Sequence, residues 1–303
     1  PNANNHSILG DWTKPQPKEN VLTVFEGIKS IASKKDFEVD FHDSNSDILN
    51  ITASDISSTV EVAQDYDYVF VVVGDNSLRH LKKKKTAGEN MARANINLAG
   101  NQLNLVKSLN KLNNELIVIY VNGKPIAEPW IAENVNSIIE AWEPGSLGGQ
   151  AVGEIVFGDI NPSGKLPLTF PRSVGQLQMI YNHKPSQYFH DYAEEKITPL
   201  YPFGHGLSYS DFNYSKLEVN KSKSEKSLIN VSFLLTNNGE FYGEEIVQLY
   251  FRDSYSSVTR PVKELLKYKR IGLNAKESKT INLSIPIKDL AFYDLNLSLI
   301  HIS

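Results

Sequence analysis

The chain has no cysteine among its 303 residues. Disulfides, thiolate metal sites and a cysteine nucleophile are therefore excluded. It also lacks any apolar run near the ~18 residues of a membrane helix. No secretory leader pattern opens it. The chain starts at Pro1 rather than Met, so an upstream portion of the natural polypeptide is expected. Charge of either sign is not in excess: the formal net charge is -4, which gives no electrostatic case for nucleic acid or an anionic membrane. The run Lys82 to Lys85 is the local exception, and a solvated face is expected for it. "VVVGDNS" leaves a strand as a phosphate loop does, but no G-x-G-x-x-G or G-K-[ST] accompanies it. There is no G-x-S-x-G elbow. His80, His183, His190 and His205 show no metal-ligand spacing, and His205 in "FGHG" reads as a packing or hydrogen-bonding residue.

What is present is a globular composition, 41% hydrophobic and 22% charged, on a length that suits two domains. From Val21 to about Pro171, short apolar runs alternate with helical spacing. "DYVFVVVGD" (Asp67 to Asp75) and "ELIVIYVNG" (Glu115 to Gly123) read as strands covered on both faces, and "SIIEAWEPG" (Ser137 to Gly145) as a third. "NQLNLVKSLNKL" (Asn101 to Leu112) and "LGGQAVGEIVFGD" (Leu147 to Asp159) read as helices. This rhythm predicts βαβ units and a mostly parallel sheet over residues 1–171. Residues 172–211, rich in Pro, Gly and aromatics, read as an ordered connector. From Phe212 the pattern changes to two-residue alternation, as in "LINVSFLLTNNGE" and "EEIVQLYFRD". That predicts a β-sandwich of immunoglobulin or fibronectin type III kind over 212–303, cut short at its C-terminus.

The loop after the first strand holds the chemistry worth weighing. Right-handed crossovers put such loops at one edge of the sheet, where open α/β sheets bind ligands. Glu89 follows Gly88, and Arg93 stands four residues later. A carboxyl group there is a candidate general acid; on spacing alone a solvated glutamate is the leading reading. Arg93 would hold the loop, touch substrate or form a purely structural ion pair. Asp75, at the strand end, would line the site. Trp142 in "EAWEPG" would pack beneath the loop or in a core.

Taken in order, "ILGDWTKPQPKENVLTVFEGIK", "AGENMARANINLAGNQLNLV", "VIYVNGKPI", "EAWEPGSLGGQAVGEIVFGDINPSGKLPLTFPRS", "YPFGHGLSYSDF" and "VTRPVKELLKYKRIGL" resemble glycoside hydrolase family 3, the β-glucosidase and β-xylosidase group. The resemblance covers essentially the whole chain. It implies an α/β sandwich domain and a fibronectin type III-like domain, without the (β/α)8-type barrel that precedes them in the family. It implies a retaining, exo-acting β-glycosidase, with the nucleophile an aspartate on that barrel and the acid/base a glutamate on a loop of the second domain. The family's "G-E-G-x-D-R" pattern matches "G-E-N-M-A-R" here. Glu89 and Arg93 keep their positions, while Asn90 and Ala92 replace the second Gly and the Asp. Glu89 is thereby the expected acid/base, on a β-linked glycoside or oligosaccharide substrate and with no cofactor or metal. The "YPFGHGLSY" box is expected to plug the two domains together, and the sandwich to be structural. A non-catalytic or carbohydrate-binding module is the alternative reading. A homodimer is an open option, and the compartment is left open with a periplasmic or secreted location preferred.

Overall fold

The structure is a computed structural model describing residues 1–177, 179–186, 190–221 and 228–300. The chain divides into two compact units. The first comprises Pro1–Ile160, Phe170–Leu177 and Thr198–Leu200, the second Asn161–Thr169, Gln178–Ile197 and Tyr201–Ser303.

In the first unit α1 (Val24–Ala32) and α2 (Ala53–Ala63) precede β1 (Tyr68–Gly74), α3 (Gln102–Leu109), β2 (Glu115–Val121), α4 (Pro129–Asn134), β3 (Ser137–Glu140) and α5 (Gly148–Val156). The strands form one parallel sheet in the order β1-β2-β3. Successive residues of β1 and β2 point to opposite faces, and both faces are covered. Val71, Val73, Val118 and Tyr120 join Leu105, Val106, Leu109 and Ile131 of α3 and α4 in one core. Val72, Ile119 and Val121 join Val24, Ile28 and Val152 of α1 and α5 in the other. Helix α1 starts at a capping box in which Thr23 and Glu26 exchange hydrogen bonds. It lies backbone to backbone against α5: a Cβ at Gly27 would fall 1.9 Å from the Gly149 carbonyl oxygen.

The two helices and first two strands expected from the sequence form, within a few residues of their expected ends. The third strand is shorter than expected. Regular pairing stops at Glu140, because Trp142 takes a left-handed conformation with φ 55°. Its N–H donates to the Glu140 carboxyl at 3.1 Å.

The second unit contains β4 (Phe212–Lys221), β5 (Leu228–Asn237), β6 (Gly243–Phe251), β7 (Glu264–Leu273), β8 (Ser278–Pro286), β9 (Phe292–Tyr293) and β10 (Leu299–Ile300). Antiparallel sheets β4-β5-β8 and β6-β7 enclose a shared core of Val231, Phe233, Leu235, Val247, Ile271, Leu273, Ile281 and Leu283. This is the expected all-β sandwich. Asn161 ties residues of the "YPFGHGLSY" box to this unit: its side chain accepts from Ser208 Oγ and from the Tyr209 N–H, both at 2.8 Å, and donates to the Tyr242 carbonyl. The His205 ring stacks on Tyr201, with centroids 5.3 Å apart. That matches its reading as a packing residue.

Candidate functional site

All three strands of the parallel sheet end at one edge, and each delivers polar residues there. Asp75, Asn76 and Ser77 follow β1, Asn122 and Lys124 follow β2, and Trp142 and Glu143 follow β3. The N-terminal segment adds Asp11 and Trp12, and the loop after β1 adds Arg79, Lys85, Thr86, Glu89 and Arg93, through the contacts below.

Asp75 is buried beneath the loop that follows β1 rather than presented at the sheet's edge. Its side chain is 0% exposed. Lys124 Nζ stands 2.9 Å from its Oδ2, and Arg93 Nη1 3.7 Å from its Oδ1. The Thr86 hydroxyl donates to Oδ1 at 3.0 Å. Burial pushes the Lys124 ammonium below its ordinary range, against the pull of Asp75. The charges here are thus paired, as buried charges must be.

Arg93 reaches inward and holds the loop. Nη1 donates to the Thr86 carbonyl at 3.0 Å, and Nη2 to the Asn97 carbonyl and to Asn95 Oδ1, both at 3.3 Å. The loop between Thr86 and Asn97 is therefore closed on itself by one guanidinium, next to the buried Asp75.

Glu89 is the exposed carboxylate of this edge. Its side chain is 45% exposed, against 7% for Asp11 and 0% for Asp75, while Glu140 and Glu143 are half-buried. Arg79 pairs with the Glu89 carboxylate and, through Nε, with Asp11 at 3.3 Å. The same guanidinium lies over the exposed Trp12 ring, 3.7 Å from its centroid.

Asp11 is a hub. Lys85 Nζ lies 2.9 Å from its Oδ1, and the Glu89 N–H donates to its Oδ2 at 2.5 Å. Burial alone would raise its carboxyl. Lys85, the Glu89 N–H and Arg79 together outweigh that and hold it below the ordinary carboxylate range. The expectation that Lys82 to Lys85 form a solvated face fails at its last member. Lys82, Lys83 and Lys84 are exposed, but the Lys85 side chain is 9% exposed because its ammonium is drawn to Asp11.

Two further carboxyls sit at the end of β3. Burial raises Glu140 to about 8, against hydrogen bonds from the Trp142 N–H and Asn122 Nδ2. Burial also raises Glu143, which accepts from the Ser77 hydroxyl. The Trp142 ring packs edge-on against Phe170, centroids 5.7 Å apart, and is half-buried rather than presented to solvent. Among the described residues no group of three His, Asp or Glu is placed to hold a metal ion. No helix among them is long and apolar enough to cross a membrane.

The sequence singles out Glu89, Arg93 and Asp75 at this edge but not Asp11, Trp12, Arg79 and Lys85. Asp11 and Glu89 are 78 residues apart along the chain, and no periodicity links them. A Gly-Asp-Trp turn and a lysine at the end of a lysine run carry no local mark of burial.

The chain matches known proteins along its length. Residues 1–209 match the glycosyl hydrolase family 3 C-terminal domain, and residues 245–300 a fibronectin type III-like domain. A beta-xylosidase of Formosa agariphila is 34% identical over 98% of this chain and 40% of its own length. A periplasmic beta-glucosidase of Salmonella typhimurium is 31% identical over 95% of the chain and 40% of its own length. Among solved structures, the beta-glucosidase from Listeria innocua in complex with isofagomine superposes with a TM-score of 0.87 at 27% identity, covering 100% of this chain and 42% of that one. The chain thus spans about 40% of the length of these curated relatives. On these matches and on its two-unit fold, the chain belongs to glycosyl hydrolase family 3, of which it carries the C-terminal domain followed by a fibronectin type III-like domain.

Proposed function

We propose that this chain is the C-terminal part of a retaining, exo-acting β-glycosidase, a β-glucosidase by preference, and that Glu89 is its acid/base. One observation carries the reading. Of the carboxylates gathered at the sheet's carboxyl edge, Glu89 alone is exposed, on a loop anchored at both ends. The others are half-buried or sunk beneath it. The names of the relatives, beta-glucosidases and beta-xylosidases, support the reaction class. The periplasmic relative supports an exported location.

In this reading an aspartate of a barrel domain outside the chain attacks the anomeric carbon. The glycosidic C–O bond breaks, and the proton of the Glu89 carboxyl passes to the leaving oxygen. Glu89, now a carboxylate, takes a proton from water as that water attacks the glycosyl-enzyme, which frees the sugar and the aspartate. Arg93 and Asp75 shape the loop and stay off the substrate. The sandwich unit is structural.

The test is Glu89→Ala in the barrel-bearing enzyme, on an aryl β-glucoside with a good leaving group. Such a substrate needs little acid help, so deglycosylation becomes slow, by about a hundredfold to ten-thousandfold. Azide should then restore turnover and yield a β-glucosyl azide. Unchanged activity in the variant would sink the assignment. The 303-residue chain by itself is expected to show no turnover, since double displacement needs two carboxylates about 5–5.5 Å apart. Turnover by the purified chain that disappears in Glu89→Ala would overturn the division of labour.

A further inference from the structure

We propose that Asp11 is a positioning residue for the acid/base: its carboxylate gathers the Glu89 N–H and the cations that flank Glu89, and so sets where the Glu89 carboxyl stands. The inference rests on the reading of Glu89 as acid/base.

The loop after β1 is anchored at its two ends, by Asp75 on Thr86 and by Arg93 on Thr86 and Asn97. Neither anchor reaches Gly88–Glu89, the stretch that aims the carboxyl. Both backbone polar groups of Glu89 end instead at Asp11. Its N–H donates directly to Oδ2 at 2.5 Å. Its carbonyl accepts from Lys85 Nζ at 2.8 Å, and that same ammonium lies 2.9 Å from Asp11 Oδ1. The two peptide groups that flank the Glu89 Cα are thus clamped by one carboxylate, once directly and once through a lysine.

Gly88 makes the approach possible. Its φ is +88°, where L side chains strain, and a Cβ there would fall 2.8 Å from Asp11 Oδ2. The side chain of Glu89 is restrained in the same way. Arg79 pairs with it and with Asp11 together, so a single guanidinium spans the hub and the reacting carboxyl. Asp11 is only 7% exposed, too buried to serve a substrate directly. Its charge-assisted hydrogen bonds are of the strong kind, and their targets are all parts of the loop.

A residue that acts through Glu89 should fail in proportion to how much acid help a substrate needs. The experiment compares wild type, Asp11→Asn and Lys85→Met in the barrel-bearing enzyme, with two readouts. The first is kcat/KM across aryl β-glucosides of graded leaving-group acidity. The second is hydrogen exchange of the amides from Lys85 to Met91. Asp11→Asn keeps the shape of the side chain and loses its charge. It is expected to lower kcat/KM about a hundredfold on poor leaving groups, the scale of a catalytic group misplaced by about 1 Å, while good leaving groups are nearly unaffected. Exchange in Lys85–Met91 should accelerate while β1, β2 and β3 stay protected. Lys85→Met, which leaves Asp11 in place, should show the same pattern more weakly, and carries the test if Asp11→Asn does not fold.

Unchanged exchange at Lys85–Met91 in a folded Asp11→Asn enzyme would overturn the proposal. So would an equal loss on every leaving group, which marks a general loss of structure. A flat leaving-group response in Glu89→Ala itself would strike the acid/base reading instead, so the two failures are distinguishable.

Discussion

The two units spend charge differently. At the sheet edge of the first, Asp11, Asp75, Lys85 and Lys124 are largely removed from water and paired with one another or with loop groups. In the sandwich the core is apolar; the second unit shields Lys165–Glu245, with side chains 15% and 12% exposed, but leaves Arg270–Glu244 and Lys276–Glu240 at the surface, with side chains 55% and 34%, and 58% and 73% exposed. Burying ion pairs is a poor route to stability, because desolvation offsets most of the attraction. Where a fold does so around one irregular loop, the pairs specify a geometry. Where it leaves them in solvent, they specify little. The comparison therefore points to the first unit's edge as the place where conformation matters chemically.

The sharpest break of that comparison is Asp75→Ala. It leaves Lys124 without its ion pair and strips Arg93 and Thr86 of a partner. A loss of about 3–5 kcal/mol in the first unit is expected, measured by urea unfolding followed on that unit. A loss below about 1 kcal/mol would mean that water reaches the cluster and that the edge resembles the sandwich surface after all.

Gly27→Ala comes next. The added Cβ would meet the Gly149 carbonyl at 1.9 Å, so α1 and α5 must separate. Overpacking of this kind costs about 1–3 kcal/mol or more, read as a lower midpoint for the first unit with the sandwich midpoint unchanged.

Glu140 gives a pH signature of similar or smaller size. Its folded pKa of about 8 stands above the ordinary 4.5. Below the lower value the carboxyl is protonated folded or unfolded, so it confers no penalty. As pH rises, the unfolded chain ionises first, and stability falls across the window from 4.5 to about 8. The full shift sets a ceiling of about 5 kcal/mol at about 1.36 kcal/mol per pKa unit, and partial solvent access brings the expected fall down to on the order of 1–3 kcal/mol. Glu140→Gln should flatten the pH dependence of the midpoint over that window; an unaltered slope would refute a buried, proton-holding Glu140.

The smallest effect is expected in the sandwich. Glu240→Ala removes an exposed partner of Lys276 and should move stability by no more than about 0.5 kcal/mol. A larger loss would show that surface pairs of the second unit matter in a way the exposure does not suggest.

The sequence by itself determined the alternation of strands and helices, the change to two-residue alternation after Phe212, and the position of Glu89 after a glycine on a strand-end loop. These are local signals, written in side-chain periodicity and in Gly and Pro placement. A Thr23–Glu26 capping box marks α1 locally as well, although apolar spacing leaves that helix and α2 unassigned. Only the tertiary structure decided that Asp75 lies under the loop, that Arg93 turns inward to hold it, that Lys85 departs from its solvated neighbours, and that Asp11 meets Glu89. The contacts of Asp11 span 74 residues to Lys85 and 78 to Glu89, and Arg93, though its partners are near in sequence, turns inward only because the folded loop places the Thr86 and Asn97 carbonyls within its reach. Burial and charge compensation belong to the folded neighbourhood, and a residue's own neighbours in sequence do not carry them.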